Sequence, residues 1–299
     1  MNLTPAETSD WFVAGREFKR IVAEKTEGRY KISLFGNEQR SGGDLVKGIE
    51  MIFTGVTDLD IHSSINMTGF EPKLTVITMP WLFTNGFESV DEVFFNGPGS
   101  KLFTELIEKK NVKVLGYGEN GFRQLTNNVR AVRSPADMKQ LKIRTPPIAM
   151  YVDLFKLFGA DPTVMSFSEV FTALQQGTID GQENPLDTIN SAKIQEVQKY
   201  LTAWDYSYDI IILGMNKKLF DGMPADLQKI VQDAAVEACD YQKQINRERN
   251  AQYLEAFAKG GMTIDYLTPE AREEFKKATQ SVYDTYEPIR GKELIDSFR

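Results

Sequence analysis

The chain has 299 residues, enough for two domains of about 150 residues each. Hydrophobic residues make up 41% and charged residues 26%, and the sequence holds no apolar run of about 18 residues that could span a bilayer. The net charge of -7, from 42 acidic and 35 basic residues without long blocks of one sign, disfavours nucleic acid and anionic lipid as partners.

One cysteine, Cys239, and one histidine, His62, restrict the chemistry of the chain. An intramolecular disulfide needs two cysteines, and a structural zinc site needs about four nitrogen or sulfur ligands, so we expect neither. The first residues lack the basic start and apolar core of a signal peptide. We therefore expect either a cytosolic protein or a mature chain from which a leader has been trimmed.

Helix and strand patterns alternate along the chain, which is typical of an α/β protein. Thr4 to Glu7 form a capping-box pattern that predicts the start of the first helix, and Ser166 with Glu169 predicts another helix start. The pattern favours strands at 30–35, 57–61, 111–115, 121–126, 141–145 and 178–180, and helices at 44–53, after 134, at 166–177, after Pro185, at 225–259 and from 268 onward.

The segment from Gly116 to Gly121 matches the GxGxxG pattern of dinucleotide sites and follows a strand-like run. In such sites the last glycine opens a helix whose N–H groups bind the pyrophosphate. Here the last glycine leads into FRQLTNNV, which is strand-like. A dinucleotide-dependent oxidoreductase is therefore a disfavoured alternative.

Two arginines, Arg123 and Arg144, fall in strand-like segments, near the crevice beyond strand ends where ligands bind in α/β proteins. A guanidinium group offers a carboxylate two parallel N–H donors. A surface or ion-paired arginine is the alternative for each residue. Asn184 can cap a helix or reach a ligand, and Phe167 can belong to the core or to a pocket wall.

The segment MSFSEVFTALQQGTIDGQENP (165–185) resembles the signature of the DctP-type substrate-binding proteins of tripartite ATP-independent periplasmic (TRAP) transporters. The similarity extends to GFRQLTNN, LKIRTP, TMPWLF and KISLF, and so covers nearly the whole chain. It implies an α/β, two-lobed, Venus-flytrap fold with mixed sheets, in which helix 225–259 crosses between the lobes. We expect 1–121 and 210–249 to form one lobe, and 122–209 and 250–299 the other.

The resemblance also implies the function, which is capture of a small organic acid in the periplasm without catalysis, metal or cofactor. The partners implied are the small and large membrane subunits of the transporter, and we expect the chain to be a monomer. A sensing role beside a signalling receptor would use the same site and stays open. The family's carboxylate-binding arginine falls on Arg144, its second arginine on Arg123, its asparagine on Asn184 and its aromatic residue on Phe167.

The family's variable specificity positions fall near His62, Ser63 and Asn66, and near Tyr208 and Asp209. Sialic-acid-binding members carry an acid and an arginine where this chain has Ser63 and Asn66. The resemblance therefore favours a sugar acid, such as a uronate or an aldonate, with a C4-dicarboxylate as the alternative.

Two further positions complete the expected site. Trp11 can belong either to the core or to an aromatic wall of the pocket. Family members begin with a strand leading into the MN that opens this sequence, so we expect that strand to be missing here. Asn2 is then expected at a strand end that faces the cleft.

Overall fold

A computed structural model describes residues 1–290, 292–296 and 298 of the chain. The described residues form a mixed α/β structure in which parallel and antiparallel strands are hydrogen-bonded into one continuous sheet. The strands are β1 (Asn2–Leu3), β2 (Leu59–Ser63), β3 (Val112–Asn127), β4 (Lys142–Thr145), β5 (Asp161–Val164), β6 (Gly181–Pro185), β7 (Tyr200–Ala203), β8 (Tyr208–Asn216) and β9 (Thr263–Tyr266).

The helices surround these strands on several sides. They are α1 (Trp11–Lys25), α2 (Leu45–Thr54), α3 (Ser64–Met67), α4 (Gly86–Val90), α5 (Gly99–Glu108), α6 (Ala149–Leu157), α7 (Phe167–Gln176), α8 (Leu186–Ser191), α9 (Lys217–Asp221), α10 (Ala225–Lys259), α11 (Pro269–Ala278), α12 (Gln280–Arg290) and α13 (Lys292–Asp296). No helix within 1–290, 292–296 or 298 has the length and apolar character needed to cross a membrane.

The long strand β3 changes partners along its length, and this change separates two lobes. Its first part, Val112 to Phe122, pairs with β8, which pairs in turn with β2. Its last part, Arg123 to Asn127, pairs with β6, and residues 125–127 also pair with β7. We call the part built on β1, β2 and β8 the first lobe, and the part built on β4 to β7 and β9 the second lobe.

Helix α10 packs against both lobes. Its 35 residues span about 52 Å at ~1.5 Å per residue. Its first half, with Val231 and Cys239, joins the core of the first lobe, whereas Phe257 lies in the core of the second. The lobe-bridging helix and the two-lobed α/β fold predicted from the sequence are therefore confirmed, whereas the exact domain bounds remain a prediction.

The glycines of the GxGxxG segment lie inside β3 and allow α10 to approach closely. A Cβ atom on Gly116 would lie 2.9 Å from the Ala235 carbonyl oxygen, and one on Gly118 would lie 2.5 Å from Oε1 of Gln242. No helix begins at Gly121, where the strand continues through a bulge with φ of 108°. The segment therefore lacks the strand-to-helix turn of a dinucleotide site.

Several local predictions were wrong, each for a physical reason. The first helix begins at Trp11, because the Thr4 hydroxyl donates to Glu38 instead of capping a helix. The two strands expected at 111–115 and 121–126 are one bulged strand, Val112–Asn127. The segment 30–35 forms no strand and has a single isolated bridge, from Phe35 to Asn2.

Two further corrections and one confirmation concern the chain after residue 165. The strand expected at 178–180 begins at Gly181, which places Asn184 on β6 instead of at a helix cap. The Ser166 hydroxyl lies against Ser168, so α7 lacks the predicted side-chain cap. The helix from Thr268 is confirmed, but α12 and α13 follow it.

Candidate ligand-binding site

A cavity lies between the two lobes, and its empty space, including the part that is open to solvent, is about 440 Å³. The lining residues are Thr4, Pro5, Trp11, Leu45, Ser63, Ile65, Asn66, Asn120, Arg123, Arg144, Pro146, Phe167, Asn184 and Thr188.

Arg144 is a buried cation without a carboxylate partner. It lies on β4 with 2% of its surface exposed, and its Nε and Nη2 donate to the Met165 carbonyl oxygen at 3.1 and 2.9 Å. Its guanidinium carbon lies 5.7 Å from the centre of the Phe167 ring. No acidic side chain of the described residues forms an ion pair with it.

The electrostatic environment of Arg144 agrees with this geometry. Burial lowers the pKa of its guanidinium to about 10; the nearby Glu183 opposes the shift and Arg123 adds to it. At neutral pH the group stays charged, yet it lacks the counter-charge that normally accompanies a buried ion. An anion entering the cavity would supply that charge.

Arg123, unlike Arg144, is paired with a carboxylate of the protein. Its Nη2 donates to Oε1 of Glu183 at 2.9 Å and to Oδ1 of Asn184 at 2.9 Å, and its Nε also bonds to Glu183. Both Arg123 and Glu183 are almost fully buried. Burial opposes the charge of Arg123, but Glu183 more than compensates and raises the pKa of the guanidinium. Arg123 is therefore already neutralised by the protein.

Asp209 lies behind the cavity wall and organises it. It is fully buried on β8, where it accepts hydrogen bonds from Ser63 Oγ at 2.6 Å, Ser64 Oγ at 2.9 Å and Asn120 Nδ2 at 2.6 Å. Its carboxylate is also 3.7 Å from Nη1 of Arg123. Burial raises the pKa of Asp209, while Arg123 and the three donors oppose that shift. Asp209 orients lining groups without lining the cavity itself.

Asn120 connects the lobes on another wall. Its Oδ1 accepts from Trp11 Nε1 at 3.0 Å and from Thr188 Oγ1 at 3.2 Å. Trp11 belongs to the first lobe and Thr188 to α8 of the second. Asn66, in contrast, lines the cavity and has no side-chain hydrogen bond within the described residues, so its amide is available to a ligand.

His62 and Asn2 lie away from the cavity, in a buried charged cluster. Nδ1 of His62 is 2.6 Å from Asp60 and its Nε2 is 2.9 Å from Glu38, and Asn2 also donates to Glu38. Although burial opposes the charge, the two carboxylates raise the pKa of His62 to about 10, so the imidazole stays protonated at neutral pH. The cluster supports Thr4, whose hydroxyl donates to Glu38 at 2.8 Å.

The structure thus gathers seven of the ten predicted binding residues around one cavity. Those seven are Trp11, Ser63, Asn66, Arg123, Arg144, Phe167 and Asn184. His62, Asn2 and Asp209 do not line it. Sequence reasoning missed Asn120 and Thr188, since a strand asparagine and a helix threonine carry no signal until their strand and helix meet.

Comparison with known proteins gives a consistent result. Residues 1–288 match the profile of the DctP family, described as bacterial extracellular solute-binding protein, family 7. The chain is 33% identical over 278 residues to a 2,3-diketo-L-gulonate-binding periplasmic protein of Escherichia coli, a match that covers 91% of this chain and 81% of the relative.

Two solved structures are similar over nearly their whole length. A TRAP periplasmic solute-binding protein of Ralstonia eutropha with bound (S)-2-acetolactate shares 30% identity at a TM-score of 0.96, covering 100% of this chain and 96% of that one. A sugar-acid-binding protein of Advenella mimigardefordensis in complex with galactonate shares 28% identity at a TM-score of 0.93, covering 99% of this chain and 94% of that one.

Replacing the two arginines separately should affect stability differently. Arg123→Ala leaves Glu183 buried without its cation, so the free energy of unfolding should fall by about 3–5 kcal/mol. Arg144→Ala removes a buried charge that has no carboxylate partner, so the free energy of unfolding should stay within about 1 kcal/mol of the parent. Urea unfolding followed by circular dichroism measures both. Similar losses in the two variants would contradict the ion-pair assignment.

Proposed function

The chain belongs to the DctP family of bacterial extracellular solute-binding proteins, and from this premise we propose that it captures a small hydroxylated monocarboxylic acid between its lobes. The observation that carries the proposal is the buried guanidinium of Arg144, which faces the cavity without a carboxylate partner in the described chain. A ligand carboxylate would bind its free N–H groups and supply the missing counter-charge.

The charges around the cavity favour a ligand with one carboxylate. Glu183 already neutralises Arg123, and Asp209 adds a second negative charge 3.7 Å from it. A second ligand carboxylate would have to approach these acids, with no other unpaired cation in the cavity wall that the structure describes. A C4-dicarboxylate is therefore the weaker candidate.

The rest of the wall suits hydroxyl groups on a carbon chain. The uncharged polar groups of Ser63, Asn66, Asn184 and Thr188 can exchange hydrogen bonds with hydroxyls, while Trp11 and Phe167 offer aromatic surface. Galactonate, the ligand of the Advenella protein, and acetolactate, the ligand of the Ralstonia protein, both combine one carboxylate with a hydroxyl-bearing chain. We therefore place aldonates, uronates and shorter hydroxy acids first among the ligands.

Binding in this proposal is capture without chemistry. The open cleft admits the acid, Arg144 binds its carboxylate, and the lobes close around it, so that the ligand stabilises the closed form. The protein would act in the periplasm as a monomer and present the closed form to the small and large TRAP membrane subunits. A sensing role would use the same residues. The oxidoreductase alternative loses its support, because the glycines at 116–121 lie within β3.

A thermal-shift panel tests the ligand class. Galactonate, galacturonate and erythronate are compared with succinate and with NAD. At least one monocarboxylic hydroxy acid should raise the Tm by about 5 °C, while succinate and NAD should change it by less than about 1 °C. A shift with succinate alone would favour the dicarboxylate alternative. A shift with NAD alone would contradict the proposed function.

Arginine variants test the carboxylate contact by calorimetric titration with the acid that gives the largest shift. Arg144→Ala should weaken binding at least about 100-fold, because a charge-assisted contact in a buried site is lost. Arg144→Lys keeps the charge but loses the two parallel N–H donors of the planar guanidinium, so the affinity should fall by about 10-fold.

The matched control is Arg16→Ala, which removes an exposed arginine on α1 and should leave the affinity unchanged. Binding by Arg144→Ala within about tenfold of the parent would refute the assignment of Arg144 to the ligand carboxylate.

A further inference from the structure

Asp187 joins the two lobes at the back of the cavity. It lies on α8 of the second lobe and is fully buried. Its Oδ2 accepts from Ser9 Oγ at 2.6 Å, and its Oδ1 accepts from the Asp10 backbone N–H at 3.0 Å. Ser9 and Asp10 precede α1 in the first lobe. The carboxyl group of Asp187 therefore receives two hydrogen bonds across the interface between the lobes.

The residues that follow each partner line the cavity. Trp11 comes directly after Asp10, and Thr188 comes directly after Asp187, and both donate to Oδ1 of Asn120. A change in the contact between Ser9 and Asp187 would move these two wall residues relative to each other. Asp187 can therefore control the shape of the site without touching a ligand.

The groups around Asp187 supply little positive charge. From α10, Tyr253 OH lies 3.4 Å from Oδ1 of Asp187 and 3.3 Å from Oδ2 of Asp10, so the two carboxyl groups share its one proton as a donor. Arg249, also on α10, forms its ion pair with Asp10. Of these two buried carboxyl groups only Asp10 is paired with the arginine, and Asp187 has no ion pair of its own within the described residues.

The other elements packed against α8 bring no further unpaired positive charge to Asp187 within the described residues. From β3, the uncharged Asn120 accepts a hydrogen bond from Thr188 of α8. On β6, Glu183 is paired with Arg123. In the turn after α8, Lys193 and Glu196 pair with each other at the surface, with their side chains 69% and 54% exposed.

We propose that Asp187 is a positioning residue that fastens α8 to the turn before α1, and that closing this contact takes up one proton from solvent. The proton forms an O–H bond on the Asp187 carboxyl group, and the Ser9 hydroxyl, 2.6 Å away, can accept a hydrogen bond from it as well as donate one. The inference rests on the proposed capture by lobe closure. It makes closure, and hence ligand affinity, stronger in acid than in alkaline solution.

The direction of the pH dependence follows from the pKa values. Burial, followed by the negative charge of Asp10, raises the pKa of Asp187 to about 7, whereas an aspartate in water has a pKa of about 3.9. Burial also raises the pKa of Asp10, although Arg249 opposes that shift. As the pH falls below about 7, Asp187 is protonated in the contact but ionised when the contact is open, so closure gains stability. Above about 7 it is ionised in both forms and the dependence ends.

The test measures closure without a ligand, so that it is independent of the ligand panel. Val46 on α2 and Val164 on β5 line the same opening at the mouth of the cleft, with 49% and 50% of their surfaces exposed. Spin labels on Val46→Cys and Val164→Cys report the distance between the lobes by pulsed electron resonance. The native Cys239 is buried, and burial raises the pKa of its thiol to about 12, so it should not react with the label.

The labelled parent should show a short-distance fraction at least about twofold larger at about pH 5.5 than at about pH 8.5. Asp187→Asn mimics the protonated carboxyl group and should be closed to the same extent at both pH values. Asp233→Asn, a control on the exposed face of α10, should behave as the parent. A parent distribution independent of pH, an Asp187→Asn variant that keeps the pH dependence, or one that is open at both pH values would overturn the proposal.

Discussion

The buried, unpaired guanidinium of Arg144 is the feature on which the account of this protein depends. A charge removed from water is costly unless a counter-charge or several hydrogen bonds replace the lost hydration. Among the described residues, Arg144 contacts the Met165 carbonyl oxygen and the face of Phe167 but no carboxylate. Arg123, on another strand of the same sheet, is paired with Glu183. The protein thus satisfies one arginine and leaves the other for an anion.

The fold explains how such a site is held. Strand β3 belongs to both lobes, and its change of partners at Phe122 and Arg123 lies at the cavity wall. The glycines of β3 let α10 pack closely on it, so the strand and the helix form one support through both lobes. Side chains from β3 and β8, namely Asn120, Arg123 and Asp209, can then organise groups that arrive from either lobe.

The sequence predicted the fold class and the long helix well, because hydrophobic periodicity is a local signal. It also predicted seven of the residues that line the cavity, chiefly through the family resemblance. Its errors arose where a side chain has a distant partner. Thr4 was assigned to a helix cap because Glu38, 34 residues later, is not visible as its partner in the sequence.

Asp209 shows the same limit in the site. Its position in the sequence suggested a contact with the ligand. In the structure its carboxylate accepts hydrogen bonds from residues 63, 64 and 120, so it orients residues of the cavity wall instead. Asp187 carried no signal at all. Its burial and its contact with Ser9 depend on how α8 meets the turn before α1, which no local pattern encodes.

The central claim is that Arg144 recognises a carboxylate, and altering the ligand while keeping the protein intact tests it most directly. Calorimetric titration of the unaltered protein with its best-binding acid and with the primary amide of that acid compares a charged group with a neutral one of similar shape. We expect the amide to bind at least about 100-fold more weakly, because it leaves the guanidinium without a counter-charge. Amide binding within about threefold of the acid would contradict the account.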